Sequence, residues 1–540
     1  MKDLSNRRWL GLVVISIAVS LIIVDSTIVN VAIPSIVDDL GISSTQVQWV
    51  QEAYTLVFAS LLLVFGSLAD RFGRRRMLVI GVVIFALSSV AAAFAPTGEL
   101  LIFARLVQGV GGAMILPTTL SLINSTFRGR ERGIAFAVWG STIGGMAAVG
   151  PLLGGWLTTE FSWRWAFGIN VPLGILIVIG VLLTISESRD TEVRRVDVVG
   201  AVLAVVASAS LVFALIEGRT YGWWQTDEAP SIGDWTWPWA ISPIPFAFAV
   251  ALAATAGFIA WGRARERRGR STLIAFSLFR IPSFRNGNIA AMVVSLGEFG
   301  IILSLPLWLQ FVIGLDPLQT GFVLLALAIG SFLASGAAGA AGGKVSPVAI
   351  VRVGLAAEIL GVAGVGFVVG SDLAWGWLVP FLFVYGFGVG LATAQLTGVV
   401  LSDVPVREGG QASGTQSTSR QVGSALGIAI LGTVLFASTA GILAAKLDDR
   451  GIPAAQNDQV VSAVIDSAGG AIAGLEANPE TAALADDAKS AFSTGTSIAA
   501  FTAAGFLVLG LIATLSLGSG RPRLEEAEKE EAPASVDTPE

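Results

Sequence analysis

The sequence predicts an all-α polytopic membrane protein, and three observations carry that prediction. Only 13% of the 540 residues are charged and the mean hydropathy is +0.76, whereas soluble domains are about 25% charged. Apolar runs of about 20 residues, the length a helix needs to cross a hydrocarbon core, recur along nearly the whole chain. The charges between them are crowded into short elbows. "GSLADRFGRRRMLVIG", Gly66 to Gly81, sets Asp70, Arg71, Arg74, Arg75 and Arg76 between two almost wholly apolar segments.

The first run follows Lys2, Arg7 and Arg8 and so has the outline of a signal peptide. It is too long for one, contains Asp25 and lacks a small-residue cleavage site, which makes it a retained first helix. Hydropathy then places fourteen spans at about 9–33, 46–68, 77–95, 100–123, 133–157, 166–186, 197–216, 240–261, 286–312, 318–341, 348–370, 376–401, 411–436 and 495–518. An even number puts both termini on one side. With the N-terminus inside, the outside loops hold only Arg164, Arg219, Lys446, Arg450 and Lys489 of the 33 basic residues. Arg105 and Arg420 fall within spans, and the others lie on inside loops and flanks. This asymmetry is the positive-inside pattern, so both termini are expected in the cytoplasm.

Two segments fall outside the spans. The outside loop 437–494 is Ala-rich and acidic, and it is expected as a solvated linker with a short surface helix over Val460–Ile465. The tail after Arg521 is charged and Pro-containing, and it is expected to be disordered. The tryptophans 223, 224, 235, 237 and 239 are expected to form an interfacial belt.

Cysteine and histidine are both absent, which excludes disulfides, Cys/His metal sites, thiol nucleophiles and imidazole bases. "GGKVS" fails as a phosphate loop because Val345 follows Lys344. No cofactor, metal or nucleic-acid partner is expected. Proton chemistry falls to carboxylates, with arginine to tune them.

Ionisable residues inside spans are costly in lipid and therefore point to function. Asp25 lies two thirds along the first span, beside Ser26, Thr27 and Asn30. Arg105, Gln108, Gly109 and Gly112 share one helical face. Gln48, Glu52 and Thr55 repeat those offsets near the outer mouth of the second span, where Glu52 either faces the cavity or is simply hydrated. Glu298 sits mid-span and is read as a binding or second proton site. Ser413, Gln416 and Arg420 share a face at the inner end of the thirteenth span. Gly150 and Gly154, four apart, flatten one face of the fifth span around Pro151, with Gly155 beside them.

"GSLADRFGRRR" fits G-x-L-x-D-R-x-G-R-R-R at every fixed position and resembles the loop signature of the major facilitator superfamily. "VDSTIVNVAIP" (24–34), "LIFARLVQGVGGAMILP" (101–117), "VGPLLGGWL" (149–157), "WRWAFGINVPLG" (163–174) and "IEGRTYGW" (216–223) resemble signatures of its fourteen-helix drug:proton antiporter family. The resemblance covers about 9–436 and 495–518, and the loop 437–494 has no counterpart in it. It implies the major facilitator fold, with a six-helix bundle over 1–186 and two inserted helices over 187–270. A second six-helix bundle spans 271–518, including the loop 437–494, and a cytoplasmic tail runs over 519–540. Substrate sites in such folds lie near the midplane between the bundles.

By the same resemblance Asp25 and Arg105 handle protons; Glu298, as a carboxylate inside a span, is a further proton candidate. Asn30, Gln48, Glu52, Gln108, Glu298 and Gln395 are the candidates to meet substrate. Gly66, Asp70, Arg71, Gly73, Arg74 and Arg75, together with Gly150, Pro151, Gly154 and Gly155, would govern conformational change. Asp70 would face the N-terminus of the thirteenth helix near Gln411, where the helix dipole favours an anion. Asp25 and Arg105 could equally form a structural ion pair. Glu358, on a helix that is peripheral in this fold, is expected to pack or to snorkel. The function implied is proton-coupled efflux of amphipathic, cationic drugs or dyes by alternating access, in a monomer of a bacterial plasma membrane that contacts lipid, protons and small molecules. Export of one endogenous product such as an antibiotic, lipid or siderophore is the alternative. Uptake symport, an enzyme and a receptor are weaker readings.

Overall fold

The computed structural model describes residues 2–518, apart from 43, 189–196, 219, 233–234, 271, 342–344, 371–373 and 406–407. The expectation for the acidic tail falls outside the described residues. The first stretch folds as α1 (Lys2–Leu40), α2 (Ser44–Phe72), α3 (Arg74–Ala93), α4 (Gly98–Thr126), α5 (Gly129–Glu160), the short α6 (Trp165–Gly168) and α7 (Asn170–Thr184). Then come α8 (Val198–Glu217) and α9 (Pro243–Arg267), separated by a hairpin of two two-residue strands, β1 (Ser231–Ile232) and β2 (Trp235–Thr236). The remainder folds as α10 (Pro282–Phe311), α11 (Pro317–Ala341), α12 (Pro347–Val369), α13 (Leu378–Val400), α14 (Gly409–Asp449), α15 (Ala454–Asp466), α16 (Ala471–Ala477) and α17 (Ala482–Ala513).

Among the described residues, 11 helices are long and apolar enough to cross a membrane. The remaining predicted spans, at 133–157, 286–312 and 318–341, also fall on helices, namely α5, α10 and α11.

The helices pack in two groups. In the first, α4 lies on α2 and α3, and α1 lies on α5 and α7. In the second, α12 packs on α13 and α17, and α10 packs on α14 and α17. The groups meet along α5 with α11 and α13, and along α2 with α14. The pair α8–α9 lies beside them, with α8 against α2. Lipid offers no hydrophobic force between helices, so close backbone approach through small residues does the packing. Gly361 lies against the Tyr385 backbone, Gly354 against Gly388 and Ala392, and Gly423 and Gly427 against the carbonyls of Met292 and Leu296.

Two turns are fixed by chemistry at helix ends. Gly73 has φ +105° between α2 and α3, a conformation L side chains rarely adopt. Glu187 then caps α3, accepting from the backbone N–H of Arg75 (3.1 Å) and Arg76 (3.2 Å). At the other end of α1, Asp39 accepts from Arg164 and Trp163. Those two hydrogen bonds hold its carboxyl below the ordinary carboxylate value.

The segment 437–494 departs from the solvated linker expected for it. Helix α14 runs on to Asp449, α17 begins at Ala482, and α15 and α16 fold between them as a cap. Val464, Ile472, Ala488 and Phe492 are fully buried there. Asp487 holds both Arg450 and Lys446, and Asn457 donates to Asp448 (2.7 Å). The apolar content is low on average, but it is concentrated on the inner faces of short helices.

Candidate functional site

Helix α1 carries Asp25 to the centre of the first group, where it is fully buried and ringed by donors. Arg105 Nη1 on α4 donates to Oδ2 (2.6 Å), Gln108 Nε2 to Oδ1 (2.7 Å) and Asn170 Nδ2 on α7 to Oδ1 (2.7 Å). Ser89 Oγ on α3 accepts from both amides. Arg105 Nε also donates to the carbonyl of Val50, and the guanidinium lies over the Tyr54 ring, 4.5 Å from its centroid. Only donors face the Asp25 carboxylate in this set. The spacing of Arg105 and Gln108 brings them to one point, as their shared helical face requires. Asn170 and Ser89 were missed as members. Asn170 lies inside the quoted motif at 163–174, while Ser89 stands in a plain apolar run with no signal.

The glycines of α5 support this cluster. A Cβ at Gly150 would strike Thr27 Oγ1, and one at Gly154 would lie 2.9 Å from the Ile28 carbonyl. Gly155 faces the other way, toward Leu318 on α11. The helix runs unbroken through Pro151.

The elbow closes one end of the molecule. Asp70 accepts from the backbone N–H of Gly410 (2.8 Å) and Gln411 (3.0 Å) at the N-terminus of α14, and from Arg74 Nη2 (2.6 Å). Arg74 and Asp70 are both buried. Gly66 touches α14 directly, since a Cβ there would lie 2.6 Å from the Gly410 carbonyl. Arg75 donates to the Leu182 carbonyl, and Arg71 lies over Phe72. Arg132 adds a bridge from Asn124 to the Ser402 carbonyl.

The opposite end is open. A cavity of about 1100 Å³ lies between α1, α2, α4, α8 and α14, with the end of α15 at its rim. One wall is apolar, formed by Ala425, Ile428, Ala429 and Phe436 of α14 with Leu215 and Ile216 of α8. Glu52, Asp227, Glu228 and Asp466 supply acid, and Arg105 is the only base that reaches it among the described residues. Glu52 is hydrogen-bonded to Glu217, a nearly inaccessible residue at the end of α8. Glu217 was missed, although it lies inside the quoted motif at 216–223. Trp223 lines the cavity, while Trp224 and Trp239 are exposed.

Of the other residues expected to meet substrate, Gln108 is buried behind Arg105 in the Asp25 ring. Gln395 lies at the closed end, where it donates to the Gly133 carbonyl (3.4 Å). Glu298 is buried in the second group, accepting from Thr393 Oγ1 (2.8 Å) and Arg420 Nη2 (3.5 Å). None of the three lines the open cavity. The side chains of Asn30 and Gln48 fall outside the described residues. Glu358 does not snorkel, because it is fully buried on α12.

Membrane-length helices in two groups, pinched together at one end and open at the other on a cavity backed by a buried ion pair, have the architecture of a transporter. Residues 15–428 match the Major Facilitator Superfamily, and the chain belongs to that family. It is 32% identical over 527 residues to the multidrug efflux pump LfrA of Mycolicibacterium smegmatis, covering 96% of this chain and 97% of that protein. It is 35% identical over 455 residues to a probable actinorhodin transporter of Streptomyces coelicolor, covering 82% of this chain and 75% of that one. The tetracenomycin C resistance and export protein of Streptomyces glaucescens is 29% identical over 550 residues, with coverage of 99% and 96%. Among solved structures, the proton:xylose symporter XylE superposes with TM-score 0.59 at 12% identity, covering 98% of this chain and all of that one. That likeness bears on the fold alone.

Proposed function

We propose that the protein exports amphipathic, cationic compounds across a bacterial plasma membrane in exchange for protons, by alternating access. The observation that carries this reading is the cavity itself, which joins an apolar wall to an acidic one and reaches Arg105 just where that residue grips Asp25. In this reading the chain has fourteen spans with cytoplasmic termini, and the elbow lies inside, as its arginines require. The bundles run over 1–186 and 271–518, with 187–270 inserted between them. The conformation is then outward-open.

The chemistry follows from competition. An ionised carboxylate in a largely apolar cavity binds a proton or a lipophilic cation, and taking up one disfavours the other. In the outward-open form Asp25 is ionised and held by Arg105. A proton arriving through the cavity neutralises Asp25 and releases Arg105 from its carboxylate partner, which weakens the packing of α1 on α4. Closure at the outer end must break the Asp70 clasp at the inner end, because both lie on the same rigid groups. The names of two relatives, a multidrug efflux pump and a tetracenomycin C resistance and export protein, support export as the direction. A narrow cargo remains the second reading, supported by the probable actinorhodin and the tetracenomycin C relatives.

The test is energy-dependent efflux of a panel of cationic and neutral dyes and antibiotics from cells, with and without a protonophore. Efflux of several cations that collapses with protonophore is expected. Efflux that survives it contradicts proton coupling, and efflux confined to one compound replaces the broad reading with the narrow one.

A further inference from the structure

Glu358 is the one fully buried carboxylate on α12, and neither of its oxygens has a hydrogen-bond partner among the described residues. It lies against the backbone of α13, where Gly388 leaves the room, since a Cβ there would sit 2.7 Å from Glu358 Cγ. One turn along α12, Gly361 packs on the backbone of Tyr385 of α13, whose hydroxyl donates to the Glu298 carbonyl on α10 (2.9 Å), and Arg420 of α14 pairs with the Glu298 carboxylate (3.5 Å). From α17, the neighbours of α12 are Ser497, Ala500 and Phe501, which carry no charge. On α12 itself, Arg352 donates to the Thr514 carbonyl (3.0 Å).

The neighbourhood therefore contains two carboxyl groups and one guanidinium. Arg420 and Thr393 both donate to Glu298, whereas no group donates to Glu358 among the described residues, which assigns the proton to Glu358. An unpaired carboxylate in a dry interior is prohibitive, and such a group takes up a proton instead. The cluster is neutral only when one of its two carboxyls is protonated.

We propose that Glu358 is a proton-binding site of the transporter, and that Glu298, Arg420 and Glu358 hold one proton between them. It rests on the proton-coupled reading of the previous section and adds a second proton site, remote from Asp25. Its working is a swap. When Arg420 leaves Glu298 for Glu358, the O–H bond on Glu358 breaks and one forms on a Glu298 oxygen. The negative charge passes from Glu298 to Glu358, where the guanidinium now stands. Arg420 adjoins Gln421, which lines the cavity, so an occupant of the cavity can bias the swap.

Infrared spectroscopy of the full-length protein in lipid, at neutral pH in H2O and D2O, tests this. The wild type is expected to show the carbonyl stretch of a buried protonated carboxylic acid, shifted down in D2O. Glu358→Gln is expected to remove it. Glu298→Gln is also expected to remove it, because one carboxylate opposite one guanidinium needs no proton. Absence of the band in the wild type overturns the proposal, as does its survival in Glu358→Gln. A band lost in Glu358→Gln but kept in Glu298→Gln makes Glu358 an inert neutral filler and also overturns it. If Glu358→Gln does not fold, Glu358→Asp must shift the band, and an unshifted band refutes the assignment. The spectra come from resting protein without a gradient, so their failure is distinguishable from a failure of proton-driven export.

Discussion

Neutralising Asp70 should open the elbow end. In the closed arrangement its carboxylate receives two backbone N–H groups of α14 and the buried Arg74 guanidinium. Asp70→Asn keeps one oxygen acceptor but removes the negative charge that meets the buried Arg74 guanidinium and the two N–H groups. Removing one partner of a buried pair costs about 3–5 kcal/mol. The retained acceptor argues for the lower end, and about 3 kcal/mol is roughly a 100-fold change in the ratio of closed to open. Two conformations of a transporter typically differ by only a few kcal/mol, so a shift of this size depopulates the closed elbow. The chain has no cysteine, so spin labels can be placed at Phe72→Cys on the tip of α2 and Arg285→Cys at the start of α10, both exposed. The Asp70 background should show a second, longer separation between them. Turnover should fall more than substrate affinity, because Asp70 lies outside the cavity. An unchanged distance distribution, or normal turnover with weakened binding, would refute the reasoning.

Two other perturbations probe the supports of the cavity. Gly150→Ala drives a Cβ into Thr27 beside Asp25, an overpacking worth about 1–3 kcal/mol. It should lower the melting temperature and slow transport, with partial rescue by Thr27→Ala, and failure of that rescue would show that the contact is not the cause. Replacing 445–490 by a Gly/Ser linker removes Ile465 and Asp466 from the cavity rim. Efflux of bulky cations should drop while protein level in the membrane holds, and an unaltered profile across the whole panel would return the cap to the status of a linker.

Much of this architecture is legible in one dimension because the bilayer imposes one length on every span. Runs of about 20 apolar residues mark helices, and charges left inside them stand out. Asp25, Arg105 and Gln108 were readable because 3.6-residue periodicity sets the last two on one face. The elbow was readable because Asp70 and Gly73 serve no topological purpose. What sequence could not give was which side of an apolar helix faces protein. Glu358 was therefore left between packing and snorkelling, and Glu298 between a binding and a second proton site. Glu217 lies just past the predicted span 197–216 and was not singled out; its partner Glu52 is distant in sequence and meets it through the packing of α8 on α2. The cap was misread for a related reason. Alanine-rich helices with a few inward-facing residues such as Val464 and Ile472 have low mean hydropathy yet still form a core.

Transport driven by a pH gradient in proteoliposomes, compared between wild type and Asp25→Asn, tests the central claim most directly. The asparagine keeps size and polarity but can neither release a proton nor offer Arg105 a charge. Wild-type protein should concentrate a lipophilic cation against its gradient when the imposed pH difference favours exchange. The variant should lose that accumulation, retain part of its energy-independent exchange of a neutral substrate, and suffer more with cations than with neutral compounds. Near wild-type accumulation of a cation by Asp25→Asn would contradict the account, and would move the coupling of protons to export away from the ring around Asp25.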